Sequence, residues 1–547
     1  MPSIKLSVTV RGSLERKYNA ANLKLVDRAV KDWIAQDRMR GIKTIHVAVD
    51  DAAAMKELDV PAIKGTATAS KIKSAIDALW QRLTPDYLVL FGGDEIVPHF
   101  VVANPSYDDS GDDDKEVPTD NPYASSRRWS ASKRSSYLIP DRVIGRIPDM
   151  IEDGDPSWLV DYLATATHWT PETPSTFDKA YTICASPWEA AGEACVEYLG
   201  KDASILLVSP PEEDGSAAPQ RQLASRLHMI KCHGSPLDPR FFGQRGDSYP
   251  TALFSGTLKP RLKPGTVAAA MCCYGAQVFS PSDKAAAVPG AWPLASTYLR
   301  GGAPGFVGST MIAWVGDKTM VCADWIATGY LKSVLGGASI GRAFLEAKQD
   351  YVRWISEQGS SPDRADEKTL IEFVLLGDPS IQPVVAPASG SSISRVAATG
   401  PRAHALGARA VDLVDQERRQ RRFLRGQMAE QMREVLPDRS PAGGAAIARS
   451  AKVFEEARAI LGEEAEKFGL MPQQARVDKL ETKLPRQFTA LKASRAVASA
   501  RNVGTKQSIE YYWSGRRILE GHKQIRLVKV ETDTAGNVIR SSVVHAS

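Results

Sequence analysis

Residues 1–385 alternate between two kinds of hydrophobic pattern. Short apolar runs that stop at a polar or Gly-containing turn are typical of strands buried on both faces, whereas apolar residues spaced three and four apart are typical of helices. Strands are predicted at Ile4–Val10, Lys43–Val49, Tyr87–Phe91, Tyr181–Ala185, Ser204–Val208 and Gly305–Trp314. Helices are predicted at Asn22–Ala35, Lys71–Leu83, Asp155–His168, Glu193–Leu199, Ala291–Leu299, Asp324–Leu335 and Gly341–Trp354. This alternation predicts an α/β fold with a largely parallel sheet.

Two further predicted strands end in residues that carry chemistry. One short apolar strand runs into Cys232-His233-Gly234, and the apolar run Val267–Met271 ends at Cys272-Cys273-Tyr274-Gly275. Because parallel strands deliver their last residues to one crevice, we expect the imidazole and a thiol to meet there. A His beside a thiol takes its proton and later protonates a leaving amine, and the turn glycines let backbone N–H groups hold an oxyanion.

These two blocks resemble the signature of the caspase–gingipain–legumain group of cysteine peptidases, in which one apolar block ends in His-Gly and the next ends in Ala-Cys. More blocks look like the gingipain-type branch and stand in the order of that family, namely Tyr87–Pro98, Thr119–Tyr123, Pro140–Pro148 and Leu376–Ser380. The resemblance covers residues 80–385. It implies a caspase/gingipain-like three-layer α/β sandwich in two α/β subdomains, and cysteine endopeptidase activity on protein or peptide substrates without a required cofactor.

Either of two adjacent cysteines fits the role of nucleophile. Cys272 stands where the family usually has Ala, and a Cys-x-x-Gly motif selects it, whereas Cys-Tyr-Gly-Ala after a small residue selects Cys273. We favour Cys273 because a strand alternates its faces and the residue before the nucleophile usually packs inward as a small one. His233 is then the base, and the N–H groups of Gly234 and Cys273 are the predicted oxyanion donors.

The resemblance also implies roles for residues around the pair. A carboxylate in the loop after Tyr181–Ala185 is expected to orient the His, and a second acid in basic-specific members pairs with a substrate Arg or Lys at P1. Glu189 is the candidate for the first role and Glu193 for the second, although Glu193 also fits an ordinary acid in a first helical turn. The residues expected to touch the substrate are Ser309, Thr310 and Trp314, of which Trp314 fits a core position equally well.

Length and composition indicate how many domains the chain has and where it is located. At 547 residues it exceeds one core, and we predict α/β subdomains at 1–175 and 176–386, a linker at 387–400 and a separate module at 401–547. No apolar stretch reaches the roughly 18 residues of a membrane span, and the N-terminal residues lack the pattern of a signal peptide. Six cysteines in so long a chain fit a reducing compartment. These features predict a cytoplasmic enzyme with no membrane partner.

The module differs from the rest of the chain in charge. Residues 401–547 carry 27 Lys and Arg against 17 Asp and Glu, a net of +10, which leaves −5 for residues 1–400. Its patterns predict helices and then an antiparallel meander, at Val411–Leu436, Ala445–Phe468, Gln487–Arg501, Ser508–Trp513, Gln524–Glu531 and Val538–Val544. We expect the module to control activity or to recruit a regulatory protein, as associated modules do in bacterial caspase-like defence and signalling proteases.

Three alternatives stay open beside this interpretation. A silent caspase-like scaffold, in which the module binds a protein or nucleic acid, is the alternative from another class. The basic run Glu417–Arg425 suits phosphate backbone, although a solvated helix face is the favoured interpretation. The acidic run Asp108–Glu116 suits a structural Ca²⁺, although it matches no EF-hand and solvated charge is again favoured.

Overall fold

The computed structural model describes residues 3–109, 111–358, 360–385, 425–433, 436–462, 464–471, 474–485, 502–519 and 522–546. The predicted linker, the predicted helix Gln487–Arg501 and the basic run except Arg425 lie outside these residues. Residues 3–385 are called the α/β part below, and residues 425–546 the appended part.

The α/β part alternates strands and helices, as its hydrophobic pattern predicts. Its strands are β1 (Ser3–Thr9), β2 (Ile42–Ala48), β3 (Tyr87–Phe91), β4 (Phe100–Ala103), β5 (Glu116–Thr119), β6 (Ile144–Ile147), β7 (Tyr181–Ala185), β8 (Leu207–Ser209), β9 (Leu227–Lys231), β10 (His233–Gly234), β11 (Arg240–Phe242), β12 (Thr251–Phe254), β13 (Val267–Ala270), β14 (Gly305–Ser309) and β15 (Phe373–Gly377). Its helices are α1 (Arg11–Lys17), α2 (Ala20–Met39), α3 (Ala52–Glu57), α4 (Ala69–Leu83), α5 (Asn121–Ala124), α6 (Ser157–His168), α7 (Glu189–Tyr198), α8 (Ala217–Gln222), α9 (Ser255–Leu258), α10 (Leu294–Arg300), α11 (Ala323–Leu335), α12 (Ile340–Glu357) and α13 (Arg364–Glu372).

A ten-stranded sheet runs through the whole α/β part in the order β2-β1-β3-β6-β15-β14-β13-β9-β7-β8. All neighbours are parallel except β14 and β15, so two parallel halves of five strands meet at one antiparallel junction. Four strands of the first half come from the predicted first subdomain, and β15 returns from the predicted second one to complete it. The two halves therefore share one continuous core.

The burial of the central strands explains why the α/β part has three layers. Every residue of β9, β13, β14 and β15 is buried, so both faces of the sheet are covered. A largely parallel sheet buried on both faces requires helices on each side. The predicted three-layer α/β architecture is confirmed.

The appended part is a separate five-stranded sheet with its own helices. Its elements are α14 (425–433), β16 (Asp438–Pro441), α15 (Gly444–Ala448), α16 (Ser450–Leu461), α17 (Glu464–Lys467), β17 (Arg476–Pro485), β18 (Asn502–Leu519), β19 (His522–Asp533) and β20 (Val538–Ala546). The strands pair antiparallel in sequence order. The predicted helical and antiparallel β module is confirmed by this sheet and its described helices.

The two faces of the appended sheet pack against different partners. Trp513 and Val528 on one face lie in a core with Phe454 of α16, while Ile525 and Val544 on the other face contact the α/β part. Alternation of side chains along a strand produces this division. The appended part is therefore docked on the α/β part through the face of its sheet that carries Ile525 and Val544.

Ion pairs accompany this docking. Lys529 Nζ lies 2.7 Å from Asp363 Oδ2, and the guanidinium of Arg364 pairs with Asp478. These side chains are almost completely buried, so removing one partner would leave an uncompensated charge. No helix in the described ranges is both long enough and apolar enough to cross a lipid bilayer.

Candidate active site

The ends of β9 and β13 bring the two signature blocks together. The strands are parallel neighbours in register from Leu227–Val267 to Ile230–Ala270, and the N–H of Met271 donates to the carbonyl of Ile230 over 2.7 Å. Both chains therefore leave the sheet at the same level. His233 and Cys273 follow these ends by a few residues and start their turns side by side.

Gly234 lies against the backbone of the second turn. A Cβ built on Gly234 would lie 2.0 Å from the carbonyl oxygen and 3.4 Å from the nitrogen of Cys273. Only a residue without a side chain fits at this distance. The glycine after the His is thus required by the approach of the two backbones.

The imidazole of His233 is buried and held in one tautomer. Its Nε2 lies 2.9 Å from Gln244 Oε1, while the Gln244 amide NH₂ donates to the carbonyl of Gly246 over 2.9 Å. The second bond orients the amide, so its oxygen faces the ring and Nε2 carries the proton. Nδ1 is then unprotonated, buried and without a hydrogen-bond partner among the described residues. This is the atom that can accept a proton.

The surroundings keep the ring neutral. Burial lowers the pKa of His233 to about 3, and the positive or titratable side chains of Arg526, His522 and His545 act in the same direction. Only the hydrogen bond to Gln244 raises it. All three of these lowering side chains belong to β19 and β20, so the appended part influences the candidate base directly.

Aromatic rings pack on the imidazole. The centroid of Trp188 lies 4.2 Å from that of His233, and the ring of Tyr249 lies at 5.2 Å, edge to face. Trp188 closes the 3₁₀ turn that follows β7. The loop after β7 therefore does reach the candidate site, but with an indole.

The two adjacent thiols face different surroundings. Cys272 Sγ accepts the N–H of Cys232 over 3.4 Å and lies inside the main core, where burial raises its pKa strongly. Cys273 Sγ accepts the N–H of Ala313 over 3.3 Å and lies in a separate cluster with Trp314. Cys272 is thus enclosed by the sheet, whereas Cys273 lies where the α/β part meets the appended part. The favoured nucleophile remains Cys273.

The expected orienting and pocket acids lie elsewhere. Glu189 and Glu193 are both exposed on α7, and the hydrogen bond to His233 comes from Gln244 instead. The structure does not bring either carboxylate to the imidazole. The role of Gln244 could not be predicted from the sequence. An amide eleven residues after the His is part of no known motif and follows no helical or strand periodicity.

The three residues that the sequence predicts to touch the substrate make contacts within the protein. The hydroxyl of Ser309 lies 2.8 Å from the carbonyl oxygens of Cys272 and Met311, and Thr310 donates to the carbonyl of Pro118 over 2.8 Å. Trp314 is fully buried beside Cys273. Ser309 and Thr310 are therefore placed to hold the turns, and Trp314 forms part of the wall around the sulfur.

The acidic run is solvated only in part, since Asp109, Asp113 and Glu116 are exposed. Asp112 is buried against Lys368, and Asp113 pairs with Arg516 and Lys523 of the appended part. Among the described residues no group of three or more His, Cys, Asp or Glu side chains converges as a metal site would. Part of the run thus serves as a contact for the appended sheet.

Comparison with known proteins supports the resemblance over part of the chain. Residues 20–150 match the model of peptidase family C25, the gingipain family. This match confirms the predicted resemblance there, and it ends before His233 and Cys273. No curated protein matches.

One similar solved structure is described as "Structure of Protease". It is 14% identical, covers 71% of this chain and 79% of its own, and superposes with a TM-score of 0.48.

Proposed function

We propose that this protein is a cysteine endopeptidase in which His233 activates Cys273. The observation that carries the proposal is the buried Nδ1 of His233, which has no hydrogen-bond partner among the described residues and lies in a turn whose next residue touches the backbone of Cys273. The match of residues 20–150 to a peptidase family supports the same activity independently.

The reaction follows from these groups. His233 Nδ1 takes the thiol proton, and the thiolate of Cys273 attacks the peptide carbonyl. Backbone N–H groups of Gly234 and Cys273 stabilise the tetrahedral oxyanion, and losing one such donor typically costs on the order of 10²–10³ in rate. The thioester forms as His233 returns the proton to the leaving amine, and water then hydrolyses the acyl-enzyme.

Gln244 is a positioning residue in this mechanism. Its amide oxygen accepts the Nε2–H of His233, which keeps Nδ1 free for the thiol proton and stabilises the imidazolium that forms. A neutral amide does this more weakly than a carboxylate. The candidate base therefore has a lower pKa than a His paired with Asp or Glu would have.

A P1 preference for Arg or Lys is part of the proposal and derives from the resemblance alone. The exposed position of Glu193 on α7 gives it no support. A cytoplasmic location is supported by the six cysteines, which are all buried and form no disulfide in the described part of the chain. Control of activity by the appended part is supported by the apolar cluster that its side chains form with Cys273, and by the lowering of the His233 pKa by Arg526, His522 and His545.

The silent-scaffold alternative draws support from the same contact, because Cys273 is only 3% exposed. Nucleic-acid binding by the module gains no support from Arg516, Lys523 and Lys529, since these three cations pair with acids of the α/β part.

Hydrolysis of a fluorogenic peptide library by the full chain decides between enzyme and scaffold. We expect turnover in wild type and in Cys272→Ala, and no turnover in Cys273→Ala. Equal background hydrolysis in all three proteins, each shown to be folded, would favour the scaffold. Cleavage after residues other than Arg or Lys would remove the P1 assignment.

A further inference from the structure

The appended sheet covers the sulfur of Cys273. Apolar side chains from β19 and β20 share one buried cluster with Cys273, Ile312 and Trp314, and they are Ile525, Leu527, Val544 and Ala546. A substrate carbonyl needs direct access to the sulfur. In the described arrangement, side chains of β19 and β20 occupy the space beside the sulfur that a substrate would need.

The cover is also made by backbone hydrogen bonds. The N–H of Val315 donates to the carbonyl of His545 over 2.9 Å, and the N–H of His545 donates to the carbonyl of Val315 over 3.1 Å. This is an isolated antiparallel bridge between the free edge of β20 and the segment after β14. Val315 lies two residues beyond Ala313, whose N–H contacts the Cys273 sulfur.

A strand added to an open edge is the way in which many proteins bind extended peptides, with main-chain bonds for affinity and pockets for side chains. β20 makes this kind of contact beside the candidate nucleophile. Val544 and Ala546 provide the side chains of β20 that lie in the apolar cluster.

The same sheet covers the imidazole side. His522, the first residue of β19, stacks on Tyr249 at 4.4 Å, and Tyr249 in turn contacts the ring of His233. Arg517 of β18 lies 3.3 Å from Asp247 in the neighbouring loop. The appended sheet therefore covers both His233 and Cys273.

We infer that the end of β20 occupies the channel in which an extended polypeptide substrate binds. The full chain is then mostly self-inhibited, and its turnover comes from the minor fraction of molecules in which β20 has moved away. The inference rests on the proposed function. Opening requires the end of β20 and the start of β19 to leave the segment 312–317. The substrate would then pair with Val315 through its main chain and place an apolar side chain beside Trp314.

The test uses full-length proteins and two readouts. Alkylation of Cys273 by iodoacetamide, followed by peptide mapping, measures the cover alone. Labelling by a thiol-reactive peptide ketone measures a working peptidase site. The variants are Val544→Asp, which places a carboxylate in the apolar cluster, and Ile539→Asp, a control on the same strand whose side chain is 44% exposed.

A second pair of variants separates backbone from side chain. His545→Pro removes the N–H that donates to Val315, while His545→Ala retains it. His545 pairs with β19 opposite Arg526, and its N–H and carbonyl point to Val315, so the proline removes no ladder bond of the appended sheet. This pair keeps the test valid if Val544→Asp fails to fold.

We expect alkylation and labelling of Cys273 to rise at least about tenfold in Val544→Asp and more in His545→Pro than in His545→Ala, with Ile539→Asp equal to wild type. Equal alkylation of Cys273 in wild type and in the folded interface variants would overturn the inference. Alkylation that rises without labelling by the peptide ketone would retain the cover and refute the peptidase instead.

Discussion

Replacing Gln244 tests the tautomer of His233 on which the mechanism depends. Gln244→Leu keeps a side chain of similar volume but removes the oxygen that lies 2.9 Å from Nε2. The Nε2–H is then buried without an acceptor, and the proton can move to Nδ1, where it blocks transfer from the thiol. We therefore expect a slower enzyme with an unchanged fold.

The size of the effect follows from the bond that is lost. A hydrogen bond to a group that becomes charged contributes about 1.5–3 kcal/mol. At about 1.4 kcal/mol for each factor of ten, kcat/KM should fall by about 10- to 150-fold. The fall should be in kcat more than in KM, because the bond strengthens only as the imidazolium forms.

Gln244→Glu is the matched variant with the opposite electrostatic effect. A carboxylate at Nε2 stabilises the imidazolium and raises the pKa of His233. The base is then protonated up to a higher pH, so the acid limb of the pH–rate profile should move toward neutral pH. The assay is peptide hydrolysis by the full chain between pH 4 and 9, with thermal unfolding as the control for folding. A Leu variant within twofold of wild type, or a Glu variant with an unmoved acid limb, would refute the reasoning.

Three further predictions concern individual positions. Gly234→Ala should lower peptide hydrolysis by more than about 100-fold, since its Cβ would overlap the carbonyl of Cys273 and separate the two turns; residual activity near that of wild type would contradict this. Cys272→Ala should keep the hydrolysis rate within about threefold and lower the thermal midpoint slightly, because this thiol packs inside the sheet. Burial lowers the pKa of His228 to about 4, against about 6.5 in the unfolded chain, so the free energy of unfolding should fall by up to about 3 kcal/mol as the pH falls from 6.5 to 4. Urea unfolding of wild type and His228→Gln at pH 7.5 and 4.5 checks this, and an equal loss of stability in both proteins would show that another group is responsible.

The strand cores were predictable because local pattern and tertiary environment agree. Tyr87–Phe91 and Tyr181–Ala185 are strands with the predicted bounds, since a short apolar run between polar turns is compatible only with a strand buried on both faces. The predicted strand at Gly305–Trp314 ends instead at Ser309. There the Ser309 hydroxyl and the turn at Met311 redirect the chain, an event governed by contacts with Cys272 that have no local signature.

The sequence predicts the candidate residues that belong to a motif. It does not predict residues whose role depends only on a contact made in the folded protein. His233, Gly234 and Cys273 stand in the signature blocks. The partner of the imidazole depends on β11, which pairs antiparallel with β10 and is followed by Gln244. The sequence predicts a carboxylate from the loop after β7, whereas the structure has Gln244 beside the ring. The ion pairs of the acidic run could not be predicted from the sequence, because the cationic partners Lys368 and Lys523 lie more than 250 residues away along the chain.

The site of covalent modification tests the central claim most directly. The full chain carrying Val544→Asp is treated with a thiol-reactive peptide ketone, and the adduct is located by peptide mapping, with and without His233→Ala. The account predicts an adduct on Cys273 that forms quickly and depends on His233. An adduct on Cys272, or one on Cys273 that forms equally fast without His233, would contradict it.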